Sequence, residues 1–196
     1  MVRLPWTTPV GARRACIALG VLLALPALAA PFAIDDFFHI ASLEGGSPIR
    51  VRWWELFTFV PGDQARHDTL VRSGLIPWWS APDLKLVFFR PLSSALVALD
   101  HAVFGRNALG WHVDSLLWWA ALLAAVALLY RRQLSSRLLV VALAIFAIDD
   151  SHWMPIVWSA ARNGLVAAVP AVLGLCAHLR WRREGWRAGA DRKSVV

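Results

Sequence analysis

Charged residues are scarce in this chain, because only 17% of its 196 residues are Asp, Glu, Lys or Arg. A soluble domain typically carries about 25% charged residues. Several long apolar runs accompany the deficit, and both features argue against an ordinary soluble protein. The sequence therefore predicts an all-α integral membrane protein whose apolar runs cross the bilayer as helices.

Cysteine and the common catalytic motifs are also nearly absent. The two cysteines, Cys16 and Cys176, both lie in apolar runs, so neither indicates a disulfide or a zinc site. The chain has no Walker loop, no G-x-S-x-G and no H-E-x-x-H pattern. Nucleotide-binding, hydrolase and zinc-protease functions therefore lack support, and the sequence predicts no metal ligands.

The net charge of +7 is the one feature that is typical of a nucleic-acid-binding protein. Its distribution argues otherwise, because the excess basic residues lie in short segments beside the apolar runs. We therefore predict no nucleic-acid partner, and we expect the chain to contact membrane lipid.

Four apolar stretches approach the length of a membrane span. A helix rises about 1.5 Å per residue, so about 20 residues cross a hydrocarbon core of about 30 Å. The predicted spans are 15–34, 113–130, 134–148 and 164–179, of which the third is short. The segments around them are 1–14, 35–112, 131–133, 149–163 and 180–196.

Basic residues predict the orientation of these spans. They are concentrated in 1–14, around 131–133 and in 180–196, whereas 35–112 is nearly neutral. Because short basic segments stay in the cytoplasm, both termini are expected there, and 35–112 and 149–163 are expected outside. In a bacterium this places the protein in the inner membrane with both loops in the periplasm.

A cleaved signal peptide is an open alternative for the first span. Arg13 and Arg14, the apolar core and Ala27-Leu28-Ala29 match the three regions of such a peptide. Cleavage would remove the helix that precedes the acids discussed next.

The outer loop 35–112 is too long for a simple connection, and aromatic clusters interrupt it. Tryptophan at this level is typical of the membrane interface. Residues 91–104 form an approximate apolar stripe, with Pro91 suited to a first helical turn and Gly105 to a helix end. We predict an interfacial amphipathic helix here.

Two adjacent acids, Asp35 and Asp36, follow the first span directly. Carboxylates at that level are costly unless they are used or paired. A carboxylate beside a second one can have a raised pKa, which suits a general base, and arginine binds phosphate. Arg90 and Arg162 are the predicted phosphate contacts. The alternative is that these acids, and the polar residues of 149–163, only cap or solvate helix ends.

The order of these features resembles the N-terminal part of polytopic GT-C-type glycosyltransferases, especially protein O-mannosyltransferase-like proteins. The motifs that carry the resemblance are the acid pair, Phe89-Arg90-Pro91-Leu92, Phe104-Gly105-Arg106-Asn107, Gly110-Trp111-His112 and Pro155-Ile156-Val157-Trp158-Ser159-Ala160-Ala161-Arg162-Asn163. The chain departs from the family pattern at Asp114, where an amide is expected, and at Asp149-Asp150-Ser151-His152.

The resemblance implies transfer of a sugar from a polyprenyl-phosphate donor to an acceptor hydroxyl on the outer face. It makes Asp35 the expected base, with Asp36 as its partner or substitute. It places His112, His152 and the two arginines in the substrate pocket. It assigns no cofactor, and a divalent-metal requirement stays open. The alternative function is a non-enzymatic multi-span protein, such as an assembly or lipid-binding subunit.

Such enzymes have many more spans than four, which predicts that this chain is an N-terminal fragment, inactive by itself. The last six residues, 191–196, match the translation of a common sequencing-library adapter. An ordinary basic tail is the alternative explanation for that end.

Overall fold

The structure is a computed structural model that describes residues 8–185. Helices dominate this part of the chain. The α-helices are α1 (Pro9–Ala24), α2 (Asp35–Leu43), α3 (Gln64–Arg72), α4 (Pro91–Phe104), α5 (Ala108–Gln133), α6 (Ser136–Ile148), α7 (Trp153–Val157) and α8 (Asn163–Glu184). The strands are β1 (Thr58–Pro61) and β2 (Lys85–Val87), and 3₁₀ helices cover Leu25–Ala29, Asp150–His152 and Ser159–Arg162. The suspected adapter-encoded end, 191–196, and much of the predicted basic tail lie outside the described residues.

Within residues 8–185, three helical segments are long and apolar enough to cross a membrane, namely Pro9–Ala29, Ala108–Gln133 and Ser159–Arg183. A fourth crossing is available if α6 and the helical segment Asp150–Val157, which are bent by 50°, form one broken span. α6 alone has 13 residues, or about 20 Å, which is less than the hydrocarbon core. The structure thus confirms the predicted largely helical chain with three to four helices that are long and apolar enough to cross a membrane.

The first span begins and ends earlier than the predicted 15–34. α1 begins at Pro9, and the Oγ1 of Thr8 accepts a backbone N–H from the first turn (3.0 Å). A threonine cap followed by proline favours a helix start. The 3₁₀ helix Leu25–Ala29 ends the span, so residues 30–34 separate it from the acid pair.

α1, α5 and α6 pack closely around Gly20. The indole N–H of Trp119 donates to the Gly20 carbonyl oxygen (3.0 Å). A Cβ on Gly20 would lie 2.9 Å from Leu123 Cδ1 and 3.0 Å from Ala147 Cβ, and both neighbours are buried. A side chain at Gly20 would therefore separate these helices.

We expect Gly20→Val to lower the free energy of unfolding by about 1–3 kcal/mol, because it overpacks this contact. Gly174→Val is the matched control, since nothing lies within 4 Å of a Cβ at that position. The control should change stability by less than about 1 kcal/mol. Thermal unfolding in detergent measures both variants, and equal midpoints would contradict the packing account.

The outer loop contains a small sheet, which corrects the all-α prediction. β1 pairs antiparallel with β2, with Thr58 opposite Val87. Val60 is buried in β1, and the Phe88 N–H donates to the Phe57 carbonyl oxygen (3.1 Å), which continues the ladder beyond β2. Aromatic and β-branched side chains favour strands, but these two segments are short and far apart in sequence.

The predicted helix at 91–104 is present as α4 with the same bounds. Its buried residues, Ser94, Val97 and Asp100, recur every three positions and define one face. Gly105 ends the helix with a φ of 57°, which glycine adopts readily. α4 thus places a buried acid, Asp100, against the helix that follows.

Candidate functional site

The acid pair occupies the first turn of α2, directly after an unusual backbone position. Ile34 has a φ of 27°, and no other non-glycine residue in the described part of the chain has a positive φ. A β-branched residue in this region is strained, and such strain is typical of functional sites. The turn at Ile34 separates Asp35 from the preceding span and starts α2.

Asp36 is fully buried, and both of its carboxylate oxygens accept backbone hydrogen bonds. Oδ2 accepts from the Ala33 N–H (3.0 Å), and Oδ1 accepts from the Ala160 N–H (2.8 Å). Burial raises the pKa of Asp36, while these two N–H donors oppose the rise. Asp36 therefore fixes the start of α2 to the 3₁₀ helix Ser159–Arg162, and we assign it a positioning role.

Asp35 is the chemically available member of the pair. It is half-buried, and within residues 8–185 its carboxylate has no hydrogen-bond or ion-pair partner. Burial raises the pKa of Asp35 above its ordinary value. A free carboxylate with a raised pKa is a better proton acceptor than an ordinary aspartate.

A buried ionic cluster lies in contact with the same 3₁₀ helix. Arg162 is only 2% exposed and pairs with Asp100 of α4 and with Asp114 Oδ2 of α5 (2.9 Å). Its Nη1 also donates to the Trp111 carbonyl oxygen (3.0 Å). The guanidinium therefore joins α4, α5 and the turn that holds Asp36.

This arrangement differs from the phosphate-contact role predicted for Arg162. The guanidinium is directed at two carboxylates in the interior rather than at an open pocket. It also gives Asp114 a partner, because the carboxylate of Asp114 pairs with Arg162. Asp100 was missed by the sequence reasoning, although a lone acid in an apolar helical stripe was its signal.

The two predicted pocket histidines have other neighbours. His112 is fully buried, and its Nε2 donates to the Ala30 carbonyl oxygen (3.0 Å). The His152 ring packs against Trp119 and Phe146, with centroid separations of 4.8 and 4.4 Å. Neither histidine has a described hydrogen bond to the acid pair.

Arg90 lies at the start of α4 and is held by aromatic rings. Its guanidinium carbon is 5.1 Å from the Phe57 ring centroid and 4.7 Å from that of Phe88. Among the described residues it has no carboxylate partner. Arg90, the predicted phosphate contact, is therefore a cation held in position by aromatic rings, and its N–H donors remain available.

One buried histidine, His39, escaped the sequence analysis. It is fully buried among Phe38, Phe57 and Phe59, and neither ring nitrogen has a hydrogen-bond partner within residues 8–185. Burial lowers the pKa of His39 to about 4, and the positive charge of Arg90 contributes to the shift. His39 is therefore neutral at pH 7.

The described residues contain no group of three or more His, Cys, Asp and Glu side chains that could hold a metal ion. Comparisons with protein-family models, curated proteins and solved structures found no match to this chain.

Proposed function

We propose that this chain belongs to a membrane glycosyltransferase that moves a sugar from a polyprenyl-phosphate donor to an acceptor hydroxyl. The observation that carries the proposal is the difference between the environments of the two acids. Asp36 is fixed by two backbone N–H groups, and Asp35 beside it has a free, half-buried carboxylate with a raised pKa. In this arrangement Asp36 holds the first turn of α2 in place, and Asp35 is suited to act as a general base.

The reaction needs a general base and a cation that stabilises the negative charge of the leaving phosphate. Asp35 would take the proton from the acceptor hydroxyl while the oxygen of that hydroxyl attacks the anomeric carbon. The bond between that carbon and the phosphate oxygen breaks, and the phosphate leaves with the electron pair. Arg90, which has no carboxylate partner among the described residues, would stabilise the leaving phosphate.

The loop's exposed aromatic side chains support work at a membrane surface. Trp78, Trp79 and Phe89 are 80%, 71% and 88% exposed. Aromatic residues at such positions are typical of the interface between lipid and water. We accordingly propose that α4 and this loop lie at the outer face of a bacterial inner membrane, with four crossings and both termini in the cytoplasm.

The test is Asp35→Asn in membranes from cells that express the complete gene. Transfer from a panel of polyprenyl-phosphate sugars should fall by about 100-fold or more, because an amide cannot accept the proton. Asp83→Asn, which changes an exposed acid of the same loop, should keep full transfer. Immunoblotting checks that both variants are present in equal amounts.

Full transfer by Asp35→Asn would overturn the assignment of the base. If the complete wild-type protein transfers no sugar from any donor but retains lipid binding, the alternative of a lipid-binding or assembly subunit is favoured instead.

A further inference from the structure

A cleft of about 290 Å³ lies between the start of α4 and one side of α8. Its lining includes Arg90, which directly precedes α4, Ser93 from α4, and Asn163, Val166, Ala167 and Pro170 from α8. No acidic residue lines it. The cleft therefore has a positive charge at one wall and no negative charge to balance it.

The α8 wall changes from polar to apolar along its length. Its four residues have the spacing i, i+3, i+4 and i+7, which places them on one face of the helix. The rise from Asn163 to Pro170 is about 10 Å. Only Asn163 is polar, and α8 belongs to a segment long enough to cross a membrane.

The α4 wall supplies hydrogen-bond donors to the polar end. Arg90 is held over the Phe57 and Phe88 rings, so its charge is fixed without a carboxylate. No side chain caps α4, and the N–H groups of a helix's first turn lack intrahelical partners. Leu92 and Ser93 contribute such groups beside the guanidinium, which together favour an anion.

We propose that this cleft binds a phosphorylated lipid. The phosphate contacts Arg90 and the first turn of α4, and the hydrocarbon chain extends along Val166, Ala167 and Pro170. The charge of Arg90, which no acidic residue of the lining balances, favours an anionic headgroup, and the apolar residues beside it favour a hydrocarbon chain over a fully soluble anion. The site deepens the proposed function, on which it rests, by stating where the donor's phosphate and the first part of its chain lie.

Binding to the purified full-length protein in detergent tests this without any transfer assay. The probes are farnesyl phosphate, farnesol and inorganic phosphate, each measured by titration calorimetry. Farnesyl phosphate should bind at least about tenfold more tightly than either of the others, because only it fills both ends of the cleft. Equal affinity for farnesol or for inorganic phosphate would overturn the proposal.

Two variants separate the ends of the cleft, and each has a matched control. Arg90→Gln should weaken farnesyl phosphate binding by at least about tenfold, since charged hydrogen bonds are lost. Ala167→Trp should weaken it similarly, because Ala167 is exposed and the indole would fill the groove. Arg72→Gln and Leu175→Trp change exposed residues outside the lining and should bind as the unmodified protein does.

If Arg90→Gln does not fold, Ala167→Trp decides the result, because it adds a side chain at an exposed position. Unchanged binding in Ala167→Trp would overturn the proposal. Sugar transfer without farnesyl phosphate binding would overturn the proposed lipid site and would leave the assignment of Asp35 as the base intact. Farnesyl phosphate binding without sugar transfer would overturn the proposed reaction and would leave the proposed lipid site intact.

Discussion

Arg162→Gln is expected to lower the free energy of unfolding by about 3–5 kcal/mol. The change removes the only described ion-pair partner of Asp100 and Asp114 within residues 8–185. Asp100 is 4% exposed, so its charge would be left in the interior without compensation. Breaking a buried ion pair from one side costs about this much. Denaturant unfolding in detergent measures the loss.

Two further variants test the cause of that loss. Combining Arg162→Gln with Asp100→Asn removes the more deeply buried of the two uncompensated charges and should recover a large part of the stability. Arg106→Gln breaks the exposed pair with Glu44 and should change stability far less, because solvent screens exposed pairs. If the double variant is no more stable than Arg162→Gln, the electrostatic explanation is wrong.

The cluster also has a consequence for the acid pair. Arg162 ends the 3₁₀ helix whose Ala160 N–H holds Asp36. Loosening Arg162 should therefore loosen Asp36 and, through it, the first turn of α2. The ion cluster stabilises the fold and positions the acids by the same contacts, so its substitution should lower both stability and transfer.

The spans could be predicted from the sequence because a run of apolar residues is a local property. The bounds of α4 could also be predicted, since Pro91 and Gly105 mark its two ends in the local sequence. The shift of the first span to Pro9–Ala29 was not anticipated, although Thr8 and Pro9 signal that start.

The partners of the site residues could not be predicted. Asp100 and Arg162 are 62 residues apart, and Asp36 meets the Ala160 N–H across 124 residues. Which side chains meet across such distances depends on how the helices pack, and a single sequence does not specify this. For that reason Arg162 was assigned to a phosphate, whereas it pairs with two acids.

The stability of the protein should also depend on pH through His39. The pKa of His39 is about 4 in the folded protein, compared with 6.5 for an ordinary histidine. Between these values the unfolded chain binds more protons than the folded protein, so stability falls as the pH falls. The full effect is present above pH 6.5 and amounts to about 3 kcal/mol, which is lost as the pH approaches 4.

His39→Phe should remove this dependence, because phenylalanine fills the site among three aromatic rings and does not titrate. Unfolding in detergent at several values between pH 7.5 and 4.5 compares the two proteins. Glu44→Gln is the control: its neighbours Arg106 and His101 lower the pKa of Glu44 to about 2. The stabilising contribution of Glu44 is therefore complete above about pH 4.5 and is lost only below that value, so its variant should keep the dependence between pH 6.5 and 4.5. Parallel pH profiles for His39→Phe and the unmodified protein would show that another group titrates in this range.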